Sequence, residues 1–265
     1  MINVIVSGAK GRMGTCIVNA VAAAEDLQLV GCFDPHCKGQ VVSCADGEFA
    51  CSDDLSGLIE NTGAQVVVDF TMPSAVLANV ECALSHGINM VVGTTGVARE
   101  DMAALAQKHA DKGGKLFFAP NFTTGAVLMM QFAKVAGKFF PDVEIIEMHH
   151  DGKKDAPSGT AVTTAHMIAE GREGKKNVGP GSETEIAGCE GARGAEVEGV
   201  RIHAVRGDGY MASQEVIMSA AGQTLTIRHD STLREAYMPG VLLAIRSVAG
   251  LDQPFTVGLE CLMGL

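Results

Sequence analysis

No dense run of basic residues occurs in this 265-residue chain, in which 31 acidic side chains outnumber 20 basic ones for a net charge of −11. Proteins that hold phosphate backbones or anionic membrane surfaces do so with clustered Lys and Arg, so neither nucleic acid nor membrane is an expected partner. Nor does any apolar segment approach the ~20 residues that a membrane helix needs. The opening run Met1-Ile-Asn-Val-Ile-Val-Ser7 carries no basic lead and passes straight into a glycine turn. It reads as a first strand and not as a secretion signal, and a cytoplasmic location is expected. The chain has 8 cysteines but no Cys-x-x-Cys pair. Cys32, Cys37, Cys44 and Cys51, with His36 among them, fall at spacings that fit no familiar zinc site. Incidental thiols or a redox-sensitive loop are the better reading, and no metal is expected. Cys16, Cys82 and Cys261 have apolar sequence neighbours and read as small core residues.

What the chain does have is apolar substance. With 47% hydrophobic residues it can bury a full core, and its length suits one large or two modest domains. Ile2–Ser7 is followed at once by Gly8-Ala-Lys-Gly11-Arg-Met-Gly14, and Met13, Cys16, Ile17, Ala20 and Val21 then mark one helix face. Strand, glycine turn and helix in that order make a dinucleotide-binding unit, where backbone N–H groups and the helix dipole receive a pyrophosphate. Gly8, Ala9, Lys10, Gly11, Arg12 and Met13 are therefore assigned to a cofactor, although the Gly-x-x-Gly-x-x-Gly spacing is one residue off the commonest form. Leu27–Phe33 reads as a second strand ending at Asp34. A carboxylate there can accept both ribose hydroxyls of NAD, whereas a 2′-phosphate prefers a basic neighbour such as Lys10, Arg12, His36 or Lys38.

Residues 35–54 are the most irregular piece and read as a surface loop or small insertion. Beyond them come helix Asp54–Asn61, strand Val66–Phe70, helix Ser74–His86, strand Asn89–Val92, helix Arg99–Lys112 and strand Lys115–Ala119. That rhythm predicts a Rossmann-like, doubly wound parallel α/β sheet, which binds ligands at the carboxyl ends of its strands. Three such ends carry loop motifs: Asp69-Phe-Thr71, Gly93-Thr-Thr-Gly96 and Ala119-Pro-Asn-Phe122. After Phe122 the rhythm changes. An apolar helix at Thr124–Phe139 leads to a strand at Val143–Met148, and Gly171–Glu183 reads as a flexible excursion. Three strand-like runs follow at Ile202–Val205, Gln214–Ser219 and Thr224–Asp230. Together these predict a second α+β domain with an open, mostly four-stranded sheet, one face of which is available for self-association. Pro239–Ala249 reads as a final helix and Phe255–Leu259 as a last strand.

The densest chemistry lies in Glu147-Met-His-His-Asp-Gly-Lys-Lys-Asp-Ala-Pro-Ser-Gly-Thr160. Gly152 permits a turn that swings Lys153 back toward His149. Pro157 ends the loop, and Ser158-Gly159-Thr160 form the first turn of a helix, whose unpaired N–H groups make an anion seat. Adjacent strand residues point to opposite faces, so one of the two histidines can be structural.

This run resembles the Glu-x-His-His-x-x-Lys-x-Asp-Ala-Pro-Ser-Gly-Thr signature of the dihydrodipicolinate reductases, enzymes of bacterial and plant lysine biosynthesis, and the likeness extends over nearly the whole chain. The resemblance implies NAD(P)H-dependent reduction of 4-hydroxy-tetrahydrodipicolinate, a small dicarboxylate, in the diaminopimelate route. It implies His149 and Lys153 as the acid/base pair, with His150, Gly159 and Thr160 holding substrate carboxylates. Gly93, Thr94, Thr95, Ala119, Pro120, Asn121 and Phe122 would line the nicotinamide side of the cofactor. The tail would return to the first domain, giving a dinucleotide-binding domain at 1–122 and 231–265 and a substrate-binding and oligomerisation domain at 123–230. A homotetramer built on the second sheet is implied as well. Pro35 stands where some members of the family have arginine, which favours NADH with NADPH tolerated. Two rival readings are another two-domain oxidoreductase acting on aspartate-derived or sugar substrates, and a nucleotide-sensing protein that does no chemistry. A hydrolase using Ser158 is disfavoured, because Ser158 follows Pro157 and lacks the glycine of a nucleophile elbow.

Overall fold

A computed structural model of the chain describes residues 1–173, 175–177 and 186–265. The first half alternates strand and helix: β1 (Ile2–Ser7), α1 (Arg12–Ala22), β2 (Leu27–Phe33), β3 (Val41–Cys44), β4 (Gly47–Ala50), α2 (Leu55–Thr62), β5 (Val66–Asp69), α3 (Pro73–Ser85), β6 (Asn89–Val92), α4 (Arg99–Lys108) and β7 (Leu116–Phe118). The second part holds α5 (Thr124–Gly137), β8 (Asp142–His149), α6 (Gly159–Gly171), β9 (Ala195–Val197), β10 (Val200–Arg206), β11 (Ala212–Ala220) and β12 (Gln223–Ser231). The chain ends with α7 (Met238–Ser247), β13 (Phe255–Val257) and α8 (Glu260–Met263).

By internal contact these elements form two compact units, Met1–Thr124 with Tyr237–Leu265, and Gly125–Ala236. The first is built on a six-stranded sheet in the order β13-β7-β6-β5-β1-β2, parallel at every pairing. Helices on both faces bury the central strands, so Val66, Val67 and Val68 have neither face in water; an unbroken β-branched run suits such a strand. Parallel pairing also puts all the strand carboxyl ends on one edge, which is where Ser7, Asp34, Asp69, Gly93 and Ala119 collect.

Residues 35–54 are more ordered than their composition suggests: a 3₁₀ turn at Pro35–Cys37 is followed by the β3–β4 hairpin. Asp46 ties that hairpin to the sheet by accepting a hydrogen bond from the Leu29 N–H at 2.8 Å. Cys261 is exposed, contrary to its reading as a core residue; it sits on the short last helix, where apolar neighbours in sequence do not enforce burial. Cys32 and Cys51 are buried instead, and burial pushes the Cys32 thiol up to about 12.

The second unit holds a mixed sheet in the order β12-β11-β8-β10-β9. It has one strand more than the sequence reading, because β9 is a three-residue edge strand of Ala-Glu-Val, too short for periodicity to announce. Of the excursion read at Gly171–Glu183, Gly174 and residues 178–183 lie outside the described residues. Its beginning is pinned: Arg172 is buried, donating to Asn177 Oδ1 at 2.7 Å and to the Pro141 carbonyl. Asn177 in turn exchanges two hydrogen bonds with the backbone of Val143. Among the described residues no helix is long and apolar enough to cross a membrane.

Candidate active site

Strand β8 alternates its side chains, so Glu147 and His149 share a face while Met148 points the other way. Glu147 is fully buried, and a buried carboxylate is tolerated only when its lone pairs are met. All of them are. Arg206, opposite His149 in the β8–β10 register, forks onto Glu147 through Nη1 to Oε2 at 2.9 Å and Nη2 to Oε1 at 2.8 Å. The Ser158 N–H donates to Oε1 at 3.1 Å, and His149 Nδ1 lies 2.6 Å from Oε2. Burial alone would raise the Glu147 carboxyl, but the Arg206 and His149 hydrogen bonds outweigh it and hold it below the ordinary carboxylate value.

That carboxylate fixes the tautomer of His149. An ionised carboxylate only accepts, so Nδ1 carries the proton and Nε2 presents its lone pair. An acidic partner ordinarily raises a histidine, yet His149 is lowered: desolvation comes first, opposed by Glu147 and reinforced by the positive charges of Lys153 and Arg206. With only 14% of its side chain exposed, burial prevails over the ion pair, and the ring is neutral near pH 7.

The loop after β8 turns on a hydrogen bond from the Lys153 N–H to the His150 carbonyl at 3.1 Å. Lys153 Nζ then meets both carboxylate oxygens of Asp155, at 2.8 and 2.9 Å. Lys153, with support from the Gly159 N–H, holds Asp155 below the ordinary carboxylate range. A carboxylate of the protein itself therefore rests between the Lys153 ammonium and the start of α6. Ser158 caps that helix, its Oγ accepting from the Ala161 N–H at 3.2 Å. Gly159 and His150 are exposed and Thr160 is half-buried. A Cβ added at Gly159 would meet nothing within 4 Å; the protein itself does not demand glycine there.

At the other set of predicted residues, the glycine loop is closed by backbone contact. Gly8 has φ +78°, and a Cβ on Gly14 would stand 2.0 Å from the Gly8 carbonyl oxygen. Gly11 stands at the N-cap of α1 and offers no side-chain cap, which leaves the helix's first N–H groups for an outside acceptor and fits a pyrophosphate. Ala9 is buried, whereas Lys10, Gly11 and Arg12 are exposed and Met13 is half-buried. Asp34 is brought to the loop by Lys10, whose N–H lies 3.4 Å from Oδ2, while Oδ1 accepts from the His36 N–H. Lys10 Nζ points to the Val41 carbonyl.

Gly93 and Phe122 come together through a residue that sequence reasoning gave no role. The Phe70 ring covers Gly93 so closely that an added Cβ would lie 2.1 Å from Cζ, and its centroid is 5.4 Å from that of Phe122. Thr94 turns its hydroxyl inward, accepting from the Thr71 N–H at 2.8 Å and donating to Asp69 at 3.1 Å; Thr95 is exposed. Ala119 is buried, Pro120 is exposed, and Asn121 Oδ1 accepts from the Thr123 N–H. Arg206 was not singled out from sequence. Glu147, Asp69 and Phe70 stood inside quoted motifs without a role of their own, Glu147 as the first residue of the signature and Asp69 and Phe70 at a strand end.

A parallel nucleotide-binding sheet with a glycine loop after its first strand and an acid after its second, joined to a second mixed-sheet unit, defines the class of two-part dinucleotide-dependent α/β oxidoreductases. A probable dehydrogenase from Thermotoga maritima shares the fold at TM-score 0.63 and 13% identity, covering 98% of this chain and 92% of its own. Family models sharpen the assignment: "Dihydrodipicolinate reductase, N-terminus" matches residues 2–122 and "Dihydrodipicolinate reductase, C-terminus" matches 125–263. The chain belongs to the dihydrodipicolinate reductase family. It is 46% identical to the 4-hydroxy-tetrahydrodipicolinate reductase of Halalkalibacterium halodurans, covering 98% of each chain. With the Listeria welshimeri enzyme of the same name it shares 48% identity over 97% of this chain and 98% of the other. A solved structure described as dipicolinate-bound dihydrodipicolinate reductase from Paenisporosarcina sp. TG-14 matches at TM-score 0.85 and 39% identity, covering 98% of this chain and 99% of that one.

Proposed function

We propose that the chain is a 4-hydroxy-tetrahydrodipicolinate reductase of lysine biosynthesis, using NAD(P)H to reduce a cyclic dicarboxylate with loss of water. The observation that carries this reading is the arrangement around Glu147: one buried carboxylate sets the tautomer of His149, receives Arg206 and holds the start of α6 through the Ser158 N–H. The relatives' name and the dipicolinate in the Paenisporosarcina structure supply the substrate class.

A bound reduced nicotinamide supplies hydride; the residues present fit its carrier at the Gly8–Met13 turn, at Asp34, and at Gly93–Thr95 with Ala119–Phe122. His150, Gly159 and Thr160 hold the substrate carboxylates, one of which takes the place of Asp155 beside Lys153. Lys153 offsets the negative charge that develops on the ring and delivers the proton. His149, neutral with Nε2 as acceptor, orients the substrate and leaves the donor role to Lys153. NADH is preferred over NADPH, because a carboxylate at Asp34 suits two ribose hydroxyls better than a 2′-phosphate and Pro35 brings no positive charge.

The assembly is a homotetramer in the cytoplasm. Phe132 and Val135 of α5, Phe139 just beyond its end and Leu225 of β12 are left 53%, 57%, 75% and 37% exposed, an apolar cluster larger than scattered surface residues account for.

The test is oxidation of NADH and NADPH side by side with enzymatically generated substrate. His149→Ala and Lys153→Ala should each lower turnover roughly 10²–10⁴-fold with nucleotide affinity unchanged. Binding of nucleotide with no substrate-dependent oxidation would favour the nucleotide-sensing reading instead.

A further inference from the structure

Asp69, at the carboxyl end of β5, is 0% exposed and takes no part in the chemistry above. Its two oxygens are crowded with donors. Ser7 Oγ at 2.9 Å and Asn79 Nδ2 at 2.7 Å reach Oδ2. Thr71 Oγ1 at 2.7 Å, Thr94 Oγ1 at 3.1 Å and the Thr71 N–H at 3.3 Å reach Oδ1. Five donors on two oxygens is the pattern of an ionised carboxylate, which only accepts. Every one of these donors is neutral, and among the described residues no cationic side chain pairs with Asp69. The first unit therefore keeps a buried negative charge with hydrogen bonds but no counter-ion, an arrangement that costs stability and calls for a compensating use.

Its place suggests the use. Asp69 precedes Phe70, whose ring covers Gly93, and it binds the Thr94 hydroxyl directly, so the charge lies beneath the loop assigned above to the nicotinamide. Hydride donation turns a neutral dihydropyridine into a pyridinium cation, the hydride passing with its electron pair to the acceptor. We infer that Asp69 is an uncompensated interior anion that stabilises the oxidised, cationic nicotinamide relative to the reduced one, and so assists hydride departure by its field. The inference rests on the reading that Gly93–Thr95 border the nicotinamide. Low polarity around a buried charge lets its field reach across several ångströms of protein.

Asp69→Asn removes the charge with little rearrangement. The amide oxygen can accept from Ser7 and Asn79, the amide nitrogen can donate to the two threonine hydroxyls, and the Thr71 N–H keeps its 2.8 Å bond to Thr94. Affinities of the full chain for NAD⁺, NADH and ADP-ribose are measured by titration calorimetry for wild type, Asp69→Asn, Asp69→Ser as a second charge-free variant, and Ser7→Ala, which removes a donor but keeps the charge. The preference for NAD⁺ over NADH should fall about tenfold in the two charge-free variants, with ADP-ribose affinity unchanged and Ser7→Ala like wild type. An unaltered NAD⁺/NADH ratio, or equal weakening of all three ligands, overturns the inference while leaving the cofactor reading intact. Failure of wild type to bind either nucleotide overturns the cofactor reading and the inference with it.

Discussion

At residue scale the molecule is governed by two buried carboxylates, each at the end of a strand. Glu147 depends on a partner 59 positions away in sequence, which is why Arg206 was not legible: nothing in its local pattern marks it, and only the parallel β8–β10 register brings the two together. Arg206→Met should leave Glu147 buried and half-satisfied, costing about 3 kcal/mol in urea unfolding. Glu147→Leu combined with it should cost less than Arg206→Met alone, because no charge is then stranded. His149 gives a pH signature. Its folded-state value lies below the ordinary 6.5 because of burial, so as pH falls through 6.5 the unfolded chain takes up a proton that the folded chain refuses. Stability is then lost from that point down to the folded-state value. Glu147, also depressed, contributes stability that is lost only at lower pH, as the medium falls through the carboxylate range. Urea midpoints measured from about pH 7 to pH 5 should fall in wild type and fall less in His149→Gln; parallel curves would show that His149 titrates normally.

At the scale of elements most of the fold was legible, and for physical reasons. β6 is as short in the structure as in the sequence because Gly87 and Gly93 leave only five residues between them, of which Asn89–Val92 form the strand. Residues 35–54, read as a surface loop or small insertion, form a small hairpin, with Gly39 ahead of β3 and Gly47 opening β4 beside its turn. Two glycines in the candidate site test how far a glycine reading carries. The Cβ of Gly14→Ala would stand 2.0 Å from Gly8 O, 2.7 Å from Gly8 C and 2.9 Å from Ala9 Cα. All three are backbone atoms, so no side chain can rotate aside and the turn itself must open. A loss of about 2 kcal/mol in stability is expected, with nucleotide affinity down more than about tenfold because the N–H groups at the start of α1 are displaced. Gly159→Ala meets open space, and alanine is the better helix former, so its melting temperature should match wild type or exceed it. Thermal melts and nucleotide titration of the two variants decide whether steric closure or mere position in a motif makes a glycine necessary.

At the scale of the whole molecule, what remained hidden in the sequence was which apolar residues stay outside. Periodicity marks α5 as an apolar helix, but its Phe132 and Val135, with Phe139 just past its end, are exposed while Ala126, Val127, Met129, Met130 and Ala133 are buried. A helix apolar on more than one side needs more than one partner. The core of the second unit supplies the first. The second is a like copy if α5 and the outer face of β12 form the assembly surface, and closed symmetric association is the common way to cover such a patch. Phe139 is 75% exposed, so a charge placed there disturbs nothing inside the monomer, yet at an interface it would be desolvated without a partner and costly. Phe139→Asp combined with Leu225→Glu should therefore keep the melting behaviour of a folded chain while lowering the mass seen by light scattering from that of the proposed tetramer to a smaller species. A double variant that stays tetrameric would show that this face is not where the copies meet.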